Sequence, residues 1–412
     1  MPATHKPERF AWFVIALLFA GSVVNYVDRA VLGVLMPQIR RDLSLTNTDY
    51  ALAVNAFLVT YMVFYILGGR LADRLGYRWS FVISIVFWSL ASMAHTMVAG
   101  LRSLALARAL LGIGEGGYYP AAMRGAAEWF PPEHRAKAVG LLLSALSVGT
   151  LLTPPVVAWI TVRYGWRAAF LVTGALGFLL VPPWLALHRS APAARPHAAA
   201  GDPRHDDVPL GAVLSSRKYW CMLAARANSD AAWYFYLFWM PGYFQEVRGL
   251  SLQAVGQFLW IPYFGAGVGA LAGAWASSAL IRRGLPLDRS RKSVLLVSAL
   301  LSTTGAAACF VPGPALAVAL VSLALFAHQS WSSNIHTAIT EITPPKHVAV
   351  LYGITGAAGT GMGALAQLVI GPVVDSYGYQ PVFLWAGLAY VLAAALLLAA
   401  GRIEPISSEE FR

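Results

Sequence analysis

Apolar positions along this chain gather into twelve runs, centred near Phe19, Val59, Val86, Leu111, Val148, Gly174, Trp233, Gly267, Leu300, Ala324, Gly361 and Val391, with polar, glycine-rich or proline-rich stretches between them. A helix needs about 20 predominantly apolar residues to cross a bilayer, and each run predicts one such helix. The expected architecture is therefore all-α, with twelve transmembrane helices. The first run, from Phe10 to Met36, is too long and too polar at its end for a signal peptide and is expected to remain as an anchor.

Three of these runs carry charge where hydrocarbon should be, the seventh through Arg226 and Asp230. The first contains Asn25-Tyr26-Val27-Asp28-Arg29, and each buried charge costs about 2.5–3.5 kcal/mol on an insertion scale. On a helix Asn25 and Arg29 are four apart, Tyr26 and Arg29 three, and Asn25 and Asp28 three, which predicts one polar side turned to protein or water. Such a side is either an ion pair that locks helices together or part of an ion or substrate pathway. The fourth run carries Arg108 and Glu115, seven residues and nearly two turns apart, so they should share a face about 10 Å apart along the axis. Between and beyond them, Gly112-Ile-Gly114-Glu-Gly-Gly117 has the spacing of a dinucleotide-binding loop but follows no strand. Its glycines predict close helix packing instead.

An internal repeat organises the runs. Glu128-Trp-Phe-Pro-Pro-Glu-His-Arg-Ala136 followed by Gly140 recurs as Glu341-Ile-Thr-Pro-Pro-Lys-His-Val-Ala349 followed by Gly353, and the same offset pairs Tyr164-Gly165 with Tyr377-Gly378. The chain divides into two six-helix halves, residues 1–188 and 217–412. The linker between them, residues 189–216, is rich in Pro, Ala, His and charge. Two parallel repeats predict a midplane site between the halves and alternating access by rocking.

Composition sharpens the class. Hydrophobic residues are 58% of the chain and charged ones only 12%, against about one-quarter charged in a soluble protein. The net charge of +11 does not point to nucleic acid, because it is distributed by side. With a cytoplasmic N-terminus, the clusters at Arg70–Arg78, Arg135–Lys137, Arg217–Lys218 and Arg282–Lys292 fall inside. Outer loops then hold only Arg40, Arg41, Arg102, Arg163, Arg167 and Arg248. This positive-inside asymmetry places both termini in the cytoplasm. Cys221 and Cys309 fall in spans and imply neither a disulfide nor a metal site. No cofactor is expected, and no nucleophile or metal constellation suggests an enzyme.

Between spans 2 and 3 lies Gly69-Arg70-Leu71-Ala72-Asp73-Arg74-Leu75-Gly76-Tyr77-Arg78. Its glycines permit a tight turn, while Asp73 can accept from arginines and latch neighbouring helix ends. This stretch resembles the loop motif of the major facilitator superfamily, with Gly69, Asp73, Arg74 and Gly76 as the gating residues. The second-half counterpart, Gly273 to Gly284, keeps Arg282 and Arg283 but no matching acid, so the latch is expected to be asymmetric.

With Asp28-Arg29, Arg108 to Glu115 and the Glu128 loop added, the chain resembles the anion:cation symporter branch of that superfamily, and residues 320–387 are most similar to its hexuronate transporters. The resemblance implies that Asp28 and Glu115 carry protons, that Arg29 and Arg108 serve the substrate carboxylate and the proton relay, and that Tyr26 and Tyr61 line the site. Leu146 departs from the glutamine that galactonate carriers place there to contact sugar hydroxyls. In the second half, span 7 offers Arg226 and Asp230 at four-residue spacing together with Asn228, Trp233, Tyr234 and Tyr236. Span 10 offers His328, Gln329, Asn334 and His336 among further polar groups. Of these, Trp233, Tyr236, His328, Gln329, Asn334 and His336 are candidates to read a polyhydroxylated cargo, by hydrogen bonds and flat aromatic faces. His95 and the Gly265, Gly269, Gly273 series are expected to serve packing.

The expectation is a proton-coupled symporter importing an organic anion, a hexuronate or related sugar acid. It would work as a monomer in the plasma membrane, with protons, the anion and the lipid bilayer as its partners. The alternative is a proton-coupled drug or aromatic-acid antiporter of the same superfamily.

Overall fold

The computed structural model describes residues 9–130, 132–187, 208–344 and 347–406, without the side chains of Arg9, Asp73, Pro132, Glu133, Ala136, Leu187 and Ala349. Most of the expected linker, residues 189–207, lies outside the described residues, as do Pro131, Pro345 and Lys346 of the repeated motif. Contacts divide the chain into two units: Met1–Ala198 with Gly249–Trp260, and Ala199–Arg248 with Ile261–Arg412.

In the first unit, α1 (Arg9–Leu43) is followed by α2 (Asn47–Ala94), whose start is fixed by a capping box between Thr46 and Asp49. The α2 helix is two spans joined by a kink at Gly76, where φ is +74°. That left-handed conformation suits glycine and strains other residues. Next come α3 (Leu101–Gly116), α4 (Tyr118–Trp129), α5 (Pro132–Tyr164), α6 (Trp166–Phe178) and α7 (Val181–Leu187). The short α10 (Leu252–Phe258), although later in the chain, packs on α5, with Gly256 against Ala158.

The second unit comprises α8 (Leu210–Ser215), α9 (Arg217–Glu246), α11 (Trp260–Arg282), α12 (Leu287–Ser302), α13 (Thr304–Ala307), α14 (Pro314–Ile342), α15 (Val348–Tyr377) and α16 (Gln380–Ala399). The repeat is visible in the backbone: Gly165 and Gly378 hold φ of +81° and +73° at the same joint between consecutive spans of each unit.

Among the described residues the fold is all-α, and its helices group into the twelve expected spans. Among the described residues nine segments are long and apolar enough to cross a membrane on their own: Phe10–Leu43, Asn47–Ala72, Arg74–Met97, Lys137–Tyr164, Trp166–Ala186, Leu252–Arg282, Pro314–Ile342, Val350–Tyr377 and Gln380–Ala399. The remaining three spans are α3 with α4, α9, and α12 with α13. Their apolar runs are interrupted by a helix break, by Arg108 and Glu115, by Arg226 and Asp230, or by the basic start of α12. Charge of this kind is tolerated inside a membrane only where neighbouring helices cover it.

The glycines of α3 pack against both arms of α2. A Cβ at Gly114 would lie 2.7 Å from the Trp88 backbone nitrogen, and one at Gly116 would lie 2.8 Å from the Tyr61 carbonyl oxygen. Small residues allow this backbone-to-backbone approach, and van der Waals contact then holds the helices. Gly114→Ala should therefore destabilise the chain by about 1–3 kcal/mol, as overpacking does. At Gly140, on an exposed part of α5, a Cβ meets nothing within 4 Å, so Gly140→Ala should be neutral or stabilising by about 0.5–1 kcal/mol. Thermal melts of the two purified variants check the contrast, and equal melting temperatures would contradict it.

Candidate functional site

The charged groups of α1 and α3 meet inside the first unit. Arg29 is buried, and its Nε and Nη2 both donate to Glu115 Oε2, at 3.0 and 2.9 Å, while Nη2 also donates to Asn25 Oδ1 at 3.1 Å. Because both donors converge on one oxygen, this is not the parallel fork of an ideal arginine–carboxylate pair. Glu115 Oε1 is buried with no hydrogen-bond partner among the described residues. The guanidinium of Arg29 lies over the rings of Tyr61 at 4.4 Å, Tyr26 at 4.9 Å and Phe57 at 5.4 Å. Desolvated stacking of this kind adds about 2 kcal/mol or more to the attraction. It also fixes the plane in which the arginine presents its donors.

Phe57 serves a second cation, since the guanidinium of Arg108 stands 4.4 Å from its ring centre. Arg108 and Glu115 are both enclosed, but the hydrogen-bonded ion pair of Glu115 is with Arg29 and joins two helices. Sequence spacing put Arg108 and Glu115 on one face, about 10 Å apart along the axis, and named no partner on α1. Asp28 also departs from the expected single polar side. It accepts from Ser92 Oγ at 2.9 Å on the second arm of α2 and stands beside Trp88 and Thr173. Consecutive helical residues do not face the same way, so adjacency in sequence separates the two charges. The cluster holds two guanidiniums and two carboxylates, so its formal charge balances. Such balance is what makes burial of all four tolerable.

His95, expected to serve packing, is buried. Its ring stacks on Phe170 at 4.5 Å, and its Nδ1 donates to the Ala91 carbonyl at 2.9 Å.

The second unit distributes its candidates among separate groups. Trp233 and His328 stack at 5.0 Å with rings 8° from parallel, and His328 Nδ1 bonds the Tyr390 hydroxyl. Arg226 pairs loosely with Asp230 at 3.4 Å, donates to Thr355 Oγ1 at 2.5 Å and lies over the Tyr352 ring, which His336 also approaches. Gly359 makes room for the Asp230 carboxylate. Gln329 is buried on α14. Asn334 donates to the Ser330 carbonyl at 2.9 Å and accepts from Arg291 at 3.4 Å, so its amide is engaged in holding helices. Tyr236 packs between Phe235 and Phe383, with its hydroxyl directed at Gly305.

At the gating loop, Gly76 makes the turn and Arg74 is exposed, whereas Gly69 has open space beside it. The Asp73 side chain lies outside the described residues. A tie that the sequence did not announce comes from Arg124, which donates to Glu128 at 2.6 Å and to the Ala72 carbonyl at 2.7 Å. The repeated glutamate of the second unit, Glu341, holds Arg291 of α12 at 2.7 Å. Both repeated glutamates thus hold an arginine, although from different helices. Ser92, Thr173, Thr355 and Tyr390 also went unnoticed. Their only signal was a hydroxyl in an apolar span, which serves packing just as often.

Comparison with known proteins places this arrangement. The family model described as Major Facilitator Superfamily matches residues 18–366. The hexuronate transporter of Escherichia coli (strain K12) is 27% identical over 407 residues, covering 95% of this chain and 94% of the relative. The D-galactonate transporter of Escherichia coli O6:H1 is 28% identical, with 95% and 94% covered, and the hexuronate transporter of Bacillus subtilis (strain 168) is 28% identical, with 93% of each covered. Among solved structures, a bacterial homolog of the human lysosomal transporter Spinster superposes with a TM-score of 0.78 at 18% identity, covering 96% of each chain. The xylose transporter XylE from E. coli gives 0.74 at 16% identity, covering 94% of this chain and 95% of that one. At these identities the solved structures speak for the fold.

Proposed function

This chain belongs to the Major Facilitator Superfamily, a family of multi-pass membrane transporters rather than enzymes, and from that premise we propose that it imports an organic anion, a hexuronate or related sugar acid, by proton-coupled symport. The observation that carries the proposal is the Arg29–Glu115 pair. A carboxylate of the protein itself occupies the arginine that a substrate carboxylate would need. Protonation of Glu115 removes that competitor and leaves Arg29, set over the rings of Tyr61 and Tyr26, to receive the cargo. Proton and anion then promote each other's binding, and by linkage the effect is reciprocal. Release on the inner side follows when Glu115 loses its proton and retakes Arg29.

Asp28 is the second proton-coupling acid in this reading, and Arg108 keeps the local charge balanced as protons come and go. The relatives named as hexuronate and D-galactonate transporters support a sugar acid as cargo. The Trp233–His328–Tyr390 group and Gln329 are the second-unit side chains assigned to sugar recognition, together with His336 beside Arg226. The remaining assignments, Asn334 and Tyr236, are to helix packing. Residues 1–188 and 217–412 act as the alternating halves of a functional monomer. The basic distribution supports a plasma-membrane orientation with both termini in the cytoplasm.

Proteoliposomes test the proposal. Labelled galacturonate or galactonate should exchange in counterflow without any gradient, an inward proton gradient should drive accumulation, and an uncoupler should abolish that accumulation. A net positive charge moving inward gains about 2.3 kcal/mol per 100 mV, so imposed potential should add to the proton gradient if more than one proton enters with a monovalent anion. Counterflow of aromatic cations or acids in place of sugar acids would select the antiporter reading.

A further inference from the structure

We propose that a groove on the first unit binds one anionic glycerophospholipid, with an acyl chain along its apolar wall and the phosphate held by Arg70 and Arg74. The groove, of about 430 Å³, runs across the two arms of α2 and the end of α3. Leu67, Leu71, Ile83 and Phe87 form its walls and are exposed. Its floor is glycine: Gly68, Gly114 and Gly117. A Cβ at Gly68 would sit 2.5 Å from the Gly117 Cα, so the backbones touch there and the flanking side chains stand above them. The walls belong to the membrane-crossing segments Asn47–Ala72 and Arg74–Met97. In hydrocarbon such a groove is filled by a lipid chain, and the remaining question is which headgroup ends it.

Arg70 and Arg74 answer that question. They line the same groove, one helical turn apart, just before the turn at Gly76, and both are exposed. Long basic side chains at a helix end extend to the headgroup layer while their stems stay on apolar surface. Two guanidiniums offer paired donors that suit phosphate oxygens. A zwitterionic headgroup brings its own cation and would lose much of that attraction. Basic pockets between membrane helices on the cytoplasmic side are suited to anionic headgroups, and the proposed orientation puts this one in the leaflet where anionic lipids are enriched.

Native mass spectrometry of the detergent-purified full chain, titrated with phosphatidylglycerol, phosphatidylethanolamine and phosphatidylcholine of identical acyl chains, tests the assignment. Phosphatidylglycerol should bind about tenfold or more tightly than phosphatidylcholine, and the double substitution Arg70→Gln with Arg74→Gln should bring the two to parity. Equal binding by the parent chain, or an undiminished preference in the double variant, overturns the proposal. A second measurement needs no variant: in vesicles, phosphatidylglycerol with a photoreactive acyl chain should label peptides spanning residues 64–87 or 113–117. Labelling elsewhere, or equal labelling of those peptides by a phosphatidylcholine analogue, overturns it as well.

Discussion

Arg29→Ala abolishes sugar-acid binding and transport while leaving a folded but less stable protein. The arginine is the group whose donors already converge on a carboxylate, at 2.9 and 3.0 Å from Glu115 Oε2, and three aromatic rings hold its plane. Alanine removes the donors for the cargo and, at the same time, leaves Glu115 buried without its ion partner. Breaking a buried pair from one side costs about 3–5 kcal/mol when the survivor stays charged. The loss of stability and the loss of binding therefore have different origins and can be separated. Adding Glu115→Gln to Arg29→Ala removes the stranded charge and should recover most of the melting temperature, yet binding should remain absent. Arg29→Lys is the finer probe. It keeps the charge but not the planar fork, and affinity should fall about tenfold or more, since hydrogen bonds to charged groups contribute about 1.5–3 kcal/mol. Isothermal titration and melts on the same preparations check all three variants. Near-normal affinity in Arg29→Ala would remove Arg29 from the site.

Legibility in the sequence followed the range of the interaction. The twelve spans, the turn at Gly76 and the close packing around Gly112, Gly114 and Gly116 were readable because hydrophobic runs and glycine spacing act within one helix or between chain neighbours. Pairing across helices was not readable. Spacing on α3 put Glu115 on one face with Arg108, but the partner it bonds is Arg29, 86 residues earlier in the chain. The three- and four-residue spacings from Asn25 put Asp28 and Arg29 on one polar side, whereas Asp28 bonds Ser92 on another helix. The polar series on α14 showed the same limit. His328 and Asn334 were equal candidates by residue type, and only three-dimensional contacts divide them, one stacked on Trp233 and the other engaged with Ser330 and Arg291. The repeated glutamates were visible as a repeat, and Arg124, four residues before Glu128 on α4, was legible by spacing though overlooked, but Arg291, which reaches Glu341 from α12, was not legible.

Glu115→Gln should uncouple transport from protons without abolishing exchange. Glutamine keeps the shape of the protonated acid and can still accept one hydrogen bond from Arg29, but it neither carries a negative charge nor releases a proton. In the proposed cycle the carboxylate of Glu115 competes with the cargo for Arg29, and the amide competes far less. The variant should therefore bind the sugar acid at least as tightly as the parent, with an affinity that no longer depends on Glu115 protonation. It should also still exchange labelled for unlabelled cargo in counterflow. Accumulation driven by an inward proton gradient should be lost, because the return step needs a free carboxylate to displace the anion and reset the pair. If Glu115 served only to neutralise Arg29 within the helix packing, the outcome would be different. The amide would then leave a buried guanidinium short of its counter-charge, and stability, counterflow and driven uptake would fall together. Measuring all three on one preparation separates these cases. A parallel loss, or proton-driven accumulation at the parent level, would exclude Glu115 as the coupling acid.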